Sequence, residues 1–528
     1  NSYHAVIYNN VLIWGGVLML EGRLLLINPW QTYEKKLESE YQSYIPYGLA
    51  CIAAIGESES FITRIVDCLE DETTTEIGDK VRYGKTPAEV EKIIKEFKPD
   101  IVGISATFSM FEKDATEVAN MVKKIDSSII VILGGVTATL PEIYISLLHN
   151  NDVYDIMSRG EGEYTFIDLL RNYNKKEKKI DNLSSIKGIA YKENGDIIVT
   201  DDRPFIEDLD TLPFPALHLL NLDKVFNNKY YSRWRNNPSN KRTIPIFTSR
   251  GCPFNCCFCS VHSQVGYRHR TYSIEYVISL MKKCIFDYGI NHFHFEDDNL
   301  TLDIERAKRL FKEIAKLNIT WDTPNGVRAD RIDDEMVQLM IESGLTNLSI
   351  AAESGNEQVR MKIIHKNLKT ESIINAVRIC DKYDLPCIVF FVLGFPGETM
   401  ENIEDTVRFA KEITNKYNTI NMIFIANPLP GTELSKISAE NGYFEKEMTN
   451  SDYFVAIRAN QSSMIKTPEF DKKKIFLLLK QELDSPEYSV HNIAQPMFWA
   501  NTLIANQRAK RVFPRMSNKK VNWEWIGE

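Results

Sequence analysis

The residues with the sharpest chemistry are Cys252-Pro-Phe-Asn-Cys256-Cys257-Phe-Cys259. Cys252, Cys256 and Cys259 form C-x3-C-x2-C within one short loop. Three thiolates from one loop can hold three irons of a cubane 4Fe-4S cluster and leave the fourth iron open. An open iron can bind a substrate or cofactor directly. The same thiolates with His262 as fourth ligand make a structural zinc site, and chance clustering is the third reading. Cys257 falls outside the spacing and reads as a packing residue or free thiol. Charged groups follow in the same half of the chain. Asp297 and Asp298 can bind an ammonium group or cap the following helix. Arg328 has a fork that pairs bidentately with a carboxylate or phosphate, or forms a surface salt bridge. Glu353 and Ser354 can hydrogen-bond a ligand or cap a helix.

The elements that must position these groups alternate strand and helix. Strands are predicted near Ile244–Thr248, His292–Glu296, Ile319–Asp322, Asn347–Ala351, Cys387–Leu393 and Asn421–Ala426, with helices such as Ile274–Phe286, Glu305–Lys316 and Asp334–Ser343 between them. Each charged group above follows one of those strands. Six such units in about 200 residues suit a partial or open barrel better than an eight-fold one. An earlier unit reads the same way. Its strands are Arg23–Ile27, Phe61–Val66, Ile101–Ile104, Ile129–Leu133 and Val153–Met157, and its helices include Tyr47–Ile55, Thr86–Phe97 and Phe111–Ile125. Apolar strands joined by helices imply a parallel sheet covered on both faces. Ligands of such sheets sit at the carboxyl ends of the strands. The polar or glycine-rich loops Ser105–Ser109, Gly134–Thr139 and Gly160–Glu163 fall there. Between the units, Asn194-Gly195 flanked by apolar runs is a hairpin signal. The expected organisation is an extension at 1–22, a first α/β domain at 23–171, a connector with the hairpin at 172–243, a barrel at 244–440 and a C-terminal cap at 441–528.

Composition bounds the class. The chain has 528 residues, 44% hydrophobic and 26% charged, which suits several packed cores and excludes disorder or a disulfide miniprotein. A net charge of −9 argues against nonspecific nucleic-acid binding. Nine cysteines, four of them between 252 and 259, point to a reducing compartment, hence the cytoplasm. No run approaches the ~20 apolar residues of a membrane span. The apolar stretch Val11–Leu20 lacks the basic flank of a secretory signal, and Met19 is a candidate start. Arg508, Lys510, Arg511, Arg515, Lys519 and Lys520 form a basic tail that reads as a solvated face or as a receiver for an anionic substrate. Trp523 and Trp525 read as docking residues for that tail.

The C-x3-C-x2-C loop, preceded by Thr248-Ser-Arg-Gly251, resembles the radical S-adenosylmethionine (SAM) superfamily. Further motifs resemble its cobalamin-binding branch: Phe295-Glu-Asp-Asp-Asn299, Ala352-Glu-Ser-Gly355, Gly394-Phe-Pro-Gly-Glu398 and Pro428-Leu-Pro-Gly-Thr-Glu-Leu434 in the barrel, and Gly103-Ile-Ser105, Gly134-Gly135 and Gly160-Glu-Gly-Glu163 before it. The match spans roughly residues 23 to 440, and its layout is closest to the methylases of the branch. The resemblance implies an α/β chain in which a Rossmann-like parallel sheet of cobalamin-binding type precedes a partial (β/α)6 barrel. It implies three cofactors: a 4Fe-4S cluster on Cys252, Cys256 and Cys259, SAM, and cobalamin. SAM would meet Glu353, Ser354, Asp297, Asp298, Gly394, Pro396 and Arg328. Cobalamin would meet Ser105, Thr107, Phe108, Gly134, Gly135, Thr137, Gly160, Glu161, Gly162 and Glu163. The implied reaction moves a methyl group from cobalamin to an unactivated carbon of a small molecule, with an electron donor such as flavodoxin or ferredoxin. Ring formation or rearrangement without methyl transfer is the alternative within enzymes. A zinc- or cobalamin-binding module without turnover is the alternative outside them. One departure stands out: no Asp-x-His-x-x-Gly occurs, so a histidine-ligated cobalt is not expected. The lower cobalt face would be covered by the Ser105–Met110 loop, by water, or by nothing.

Overall fold

A computed structural model describes residues 7–8, 11–12, 22–35, 41–107, 109–231, 242–444, 465–470, 472–483 and 500–505. Phe108, Met19, the basic tail, Trp523 and Trp525 lie outside those residues.

The first unit runs β1 (Arg23–Asn28), β2 (Gln31–Glu34), α1 (Tyr47–Ser58), β3 (Ile62–Asp67), β4 (Thr74–Ile77), β5 (Lys80–Tyr83), α2 (Pro87–Phe97), β6 (Ile101–Ser105), α3 (Glu112–Ile125), β7 (Ile130–Gly134), α4 (Pro141–Asn150), β8 (Ile156–Ser158), α5 (Gly162–Arg171), β9 (Ile189–Glu193) and β10 (Asp196–Val199). The main sheet has the order β10-β9-β8-β7-β6-β1-β3. Its strands from β8 to β3 are parallel. Their apolar runs serve two cores. Leu24, Leu26 and Ile132 pack with Ala50, Ala53 and Phe166 on one face. Leu25, Ile27, Val131 and Leu133 pack with Val90, Ile94 and Val118 on the other. This is why the strands lack the alternation of a half-exposed sheet.

The Asn194-Gly195 hairpin forms, with φ of 51° and 94° at its tip, as a two-residue turn of that kind requires. It is not a free connector. β9 pairs antiparallel with β8, so the sheet continues past residue 171. The sequence reading did not anticipate α4 or the small antiparallel sheet β2-β5-β4.

The second unit runs β11 (Thr243–Ile246), α6 (Ile274–Tyr288), β12 (His292–Phe295), α7 (Ile304–Ile314), β13 (Thr320–Asp322), α8 (Asp334–Glu342), β14 (Leu348–Glu353), α9 (Thr370–Lys382), β15 (Cys387–Leu393), α10 (Met400–Lys416), β16 (Thr419–Ile425) and α11 (Glu433–Glu440). Six parallel strands make two groups of three, β11-β12-β13 and β14-β15-β16. Single bridges, Trp321 to Leu345 and Val327 to Ile350, join the groups into one curved wall. β17 (Ala500–Ala505) adds antiparallel to β16, an edge that nothing in the sequence announced. No described helix is long and apolar enough to cross a membrane.

Trp321 anchors the helix layer to this wall. It is fully buried, stacks on Phe311 at 5.0 Å and donates from its indole N–H to Ser343 Oγ at 3.0 Å. Trp321→Ala is expected to destabilise the chain by about 3–5 kcal/mol, read as a lower thermal unfolding midpoint.

Candidate active site

The cysteine loop leaves the barrel after β11 through a fixed turn. Asp297, just beyond β12, accepts from the Thr248 backbone N–H, the Thr248 hydroxyl and the Ser249 hydroxyl at 2.5–3.1 Å. Arg306 donates to the carbonyls of Thr248 and Tyr272 from the other side. Asp298 accepts from the Gly251 N–H at 2.9 Å. Burial pushes the Asp298 carboxyl up to about 6, against the pull of that N–H. Gly251 has φ of 86°, and a Cβ there would stand 2.4 Å from the Arg268 carbonyl oxygen, so only glycine fits.

Within the loop, Cys252, Cys256 and Cys259 are partly exposed, while Cys257 is buried. Cys257 packs with Ile364, Phe395 and Leu434 and exchanges backbone bonds with Ile364 and Leu434. Burial raises the Cys256 thiol, and Lys366 and Arg328 beside it oppose that shift. Burial pushes Cys259 up to about 12. Asn299 Nδ2 lies 3.6 Å from Cys252 Sγ.

The surroundings of the loop favour a cluster over zinc. Sulfurs around one tetrahedral ion stand about 3.8 Å apart. Among the described residues, the only trio with ligand atoms within 4.8 Å of one another is elsewhere, at His292, His294 and Asp322. His262 instead meets the Cys252 carbonyl at 3.1 Å and stacks on Tyr267 at 3.8 Å. Three thiolates on one loop, with His262 engaged elsewhere, fit three corners of a cubane.

Around the loop lie the other strand ends. Glu353 ends β14 at φ of 64° and pairs with Lys366 at 2.6 Å. Gly394 and Gly397 turn the chain after β15 at φ of 88° and 87°, with Pro396 between them. Glu398 closes that turn, accepting from the Gly394 and Phe395 N–H groups at 2.7 and 3.1 Å. Phe390 and Phe424 meet edge to face at 5.8 Å and leave a partly exposed apolar wall.

Several expected ligand contacts are committed within the protein. Asp297 is 1% exposed and holds the Thr248–Ser249 turn, so it supports the loop from beneath. Arg328 forks onto Asp330 at 3.0 and 2.9 Å, donates to the Lys366 and Asn367 carbonyls, and lies over Phe254. Ser354 bonds Thr406 Oγ1 and the Asn356 N–H, as a cap does. Glu161 and Glu163 turn toward the barrel. Arg250 reaches Glu161 at 3.0 Å and Glu163 at 2.6 Å. Arg270 reaches Glu161 at 2.9 Å. Burial opposes the Glu163 charge, yet the Arg250 guanidinium holds its carboxyl below the ordinary range.

The remaining polar loops of the first unit lie along one edge. Ser105 Oγ is 3.3 Å from Thr107 Oγ1. Gly135 has φ of 97°, and a Cβ there would meet the Ala106 carbonyl at 2.8 Å. A Cβ on Gly134 or Gly160 would meet nothing within 4 Å. Gly162 packs on Ile52, where a Cβ would stand 3.1 Å from its side chain. Thr137 is fully buried with a hydroxyl that has no hydrogen-bond partner. Open space over two glycines and an orphaned buried hydroxyl fit a cobalamin held at this edge. This edge faces the barrel, since a Cβ on Gly431, after β16, would touch Leu140 at 2.5 Å. His149 is exposed in the last turn of α4, whereas the polar loops adjoin helix starts, so no histidine of the first unit lies in these loops.

The comparisons with known proteins agree with this arrangement. Residues 246–410 match the Radical SAM superfamily, and residues 38–170 match the B12 binding domain. An uncharacterised methyltransferase of Pyrococcus horikoshii is 33% identical over 402 residues, 75% of this chain and 79% of its own. The cytidylyl-2-hydroxyethylphosphonate methyltransferase of Streptomyces wedmorensis is 28% identical over 459 residues, 80% and 83% of the two chains. Among solved structures, the radical SAM methyltransferase TsrM of Kitasatospora setae, with cobalamin and cluster bound, superposes with a TM-score of 0.62 at 16% identity, covering 88% of this chain and 92% of its own. The cobalamin-dependent radical enzyme OxsB gives 0.60 at 18%, over 94% and 66%. The chain belongs to the radical SAM superfamily, in the branch that joins a B12-binding domain to the radical SAM domain, a branch that includes methyltransferases. The cofactors of that branch are a 4Fe-4S cluster, SAM and cobalamin.

Two outcomes follow from this geometry. Arg250→Ala leaves Glu163 buried without its cation and is expected to cost about 3–5 kcal/mol in denaturant unfolding, with Arg250→Lys recovering only part. Burial pushes Glu398 up to about 7, against backbone N–H bonds from Phe395 and Gly394. The folded chain therefore holds a proton there that the unfolded chain releases near pH 4.5, so this group lowers stability as pH rises from about 4.5 to 7. Glu398→Gln is expected to flatten the stability profile across that window.

Proposed function

We propose that this protein methylates a carbon atom of a small molecule, using a 4Fe-4S cluster, SAM and cobalamin. When bound, these groups supply a hydrogen-abstracting radical and the methyl group that replaces the hydrogen. The observation that carries the reading is the facing of two sets of strand ends across one buried ionic contact. One set bears the three cysteines and the other the open glycine edge. In this reading Cys252, Cys256 and Cys259 hold the cluster. Glu353, Asp298, Gly394 and Pro396 surround SAM. Ser105, Thr107, Gly134, Gly135, Thr137, Gly160 and Gly162 receive cobalamin. Lys366 pairs with Glu353 next to Cys256, which places a carboxylate where it can accept from a ligand's hydroxyl or ammonium group. Phe390 and Phe424 support an apolar part of the substrate and keep water from a reactive centre. The free state of all nine cysteines supports a cytoplasmic setting, where flavodoxin or ferredoxin can donate electrons.

The test uses reconstituted protein, SAM with a trideuterated methyl group, a reductant and an extract of small metabolites. A product carrying the intact trideuteromethyl group, absent with Cys256→Ala, is expected. A product whose mass changes without that label overturns methyl transfer in favour of ring formation or rearrangement.

A further inference from the structure

Three consecutive residues after β12 run alongside the approach to the cysteine loop. Asp297 accepts from the Thr248 and Ser249 hydroxyls, and Asp298 accepts from the Gly251 N–H. Asn299 takes the next step, with its Nδ2 at 3.6 Å from Cys252 Sγ. The first two contacts fix the path of the chain. The third reaches the sulfur of a cluster ligand.

The amide is held in place. Asn299 is buried, and its own carbonyl accepts from the Leu302 N–H at 3.2 Å. Its Oδ1 is buried too and has no hydrogen-bond partner among the described residues. Leaving such an oxygen unsatisfied costs about 1–3 kcal/mol. Turning the amide over would set that oxygen against the sulfur. A ligating thiolate offers only lone pairs, so it accepts from N–H and repels C=O. A hydrogen bond to a charged acceptor is about twice as strong as a neutral one, which offsets part of the cost of the orphaned oxygen. The orientation of the side chain therefore suits Cys252 as a metal-bound thiolate, whereas a thiol is only a weak acceptor.

The three cysteines differ in what surrounds them. Cys259 accepts from the backbone N–H of Val261, and Cys256 has the charges of Lys366, Glu353 and Arg328 beside it. Cys252 receives its donor from a side chain, so a single substitution can remove that bond and leave the loop intact. Hydrogen bonds to the sulfurs of an iron–sulfur cluster are one of the levers on its reduction potential. Reduction adds negative charge shared with the thiolates, so an N–H donor stabilises the reduced state more than the oxidised one. We propose that Asn299 is a positioning residue that acts through Cys252: by donating to Cys252 Sγ it raises the reduction potential of the cluster. A donor of the flavodoxin or ferredoxin type then delivers its electron more readily. That electron leaves the cluster one charge more negative, and no bond to Asn299 forms or breaks. The inference rests on the cluster reading of the three cysteines.

The test is a redox titration, read by electron paramagnetic resonance, of full-length protein reconstituted with iron and sulfide before cobalamin is added. Asn299→Leu keeps the branched shape and removes the donor. At the midpoint potential of the unaltered protein, its ratio of reduced to oxidised cluster is expected to fall about ten-fold, which is about 59 mV for a one-electron couple. About four irons per chain are expected to remain. Asn299→Asp, which sets a carboxylate in place of the amide, is expected to shift the ratio the same way by at least as much. A ratio unmoved or higher in either iron-loaded variant overturns the assignment. Loss of iron from both variants makes Asn299 a strut and overturns it equally. An unaltered protein without iron contradicts the cluster reading itself, whereas a full iron count with an unmoved potential contradicts this inference alone.

Discussion

Four charged side chains, three of them buried and Arg250 partly so, hold the two units in register. Glu161 and Glu163 come from the start of α5, and Arg250 and Arg270 from the paired segments that flank the cysteine loop. Removing such charges from water costs several kcal/mol each, and only a complete set of partners offsets that cost. Arg270 has further acceptors in the carbonyls of Ile206 and Val265, and Arg250 has the Tyr272 hydroxyl. A small rotation of one unit against the other would strand a charge. The contact therefore fixes an orientation, and the orientation it fixes sets the glycine edge of the sheet against the cysteine face of the barrel.

The same stretch of backbone joins this contact to the cluster site. Arg250 precedes Gly251 and Cys252, and the preceding Thr248 and Ser249 are tied down by Asp297. Asp298 holds Gly251 one step further along. The chain thus passes from a fixed turn, through an ionic contact, into the three-cysteine loop without an unsupported residue between. Two adjacent aspartates at the end of β12 act as struts for that path. Glu353, on the opposite side of Cys256, is held as firmly by Lys366.

Much of this was legible in the sequence because parallel α/β architecture writes itself in strong local signals. Apolar runs such as Ile101–Ile104 and Cys387–Leu393, separated by helical periodicity, placed the strands and therefore the loops at their carboxyl ends. The cysteine spacing and the Asn194-Gly195 turn were equally direct. Side-chain partners across long sequence distances were not. Glu161 and Glu163 sit in a ligand-like loop, and only the fold shows that residues about ninety positions away claim them. Arg328 and Asp297 have the chemistry of ligand-binding groups, but their hydrogen-bonding capacity is used by the loops beside them. β17 escaped notice because its pairing partner is set by tertiary contact rather than by its own sequence.

In the proposed function the cysteine loop and the glycine edge each hold their own cofactor in one molecule. Metal analysis of anaerobically reconstituted protein, with iron, sulfide, zinc and cobalt counted against chain concentration, tests that most directly. About four irons with matching sulfide and one cobalt per chain is the predicted result. Zinc confined to the cysteine loop with no iron would contradict the radical reading, and iron without cobalt would contradict the place given to the first unit.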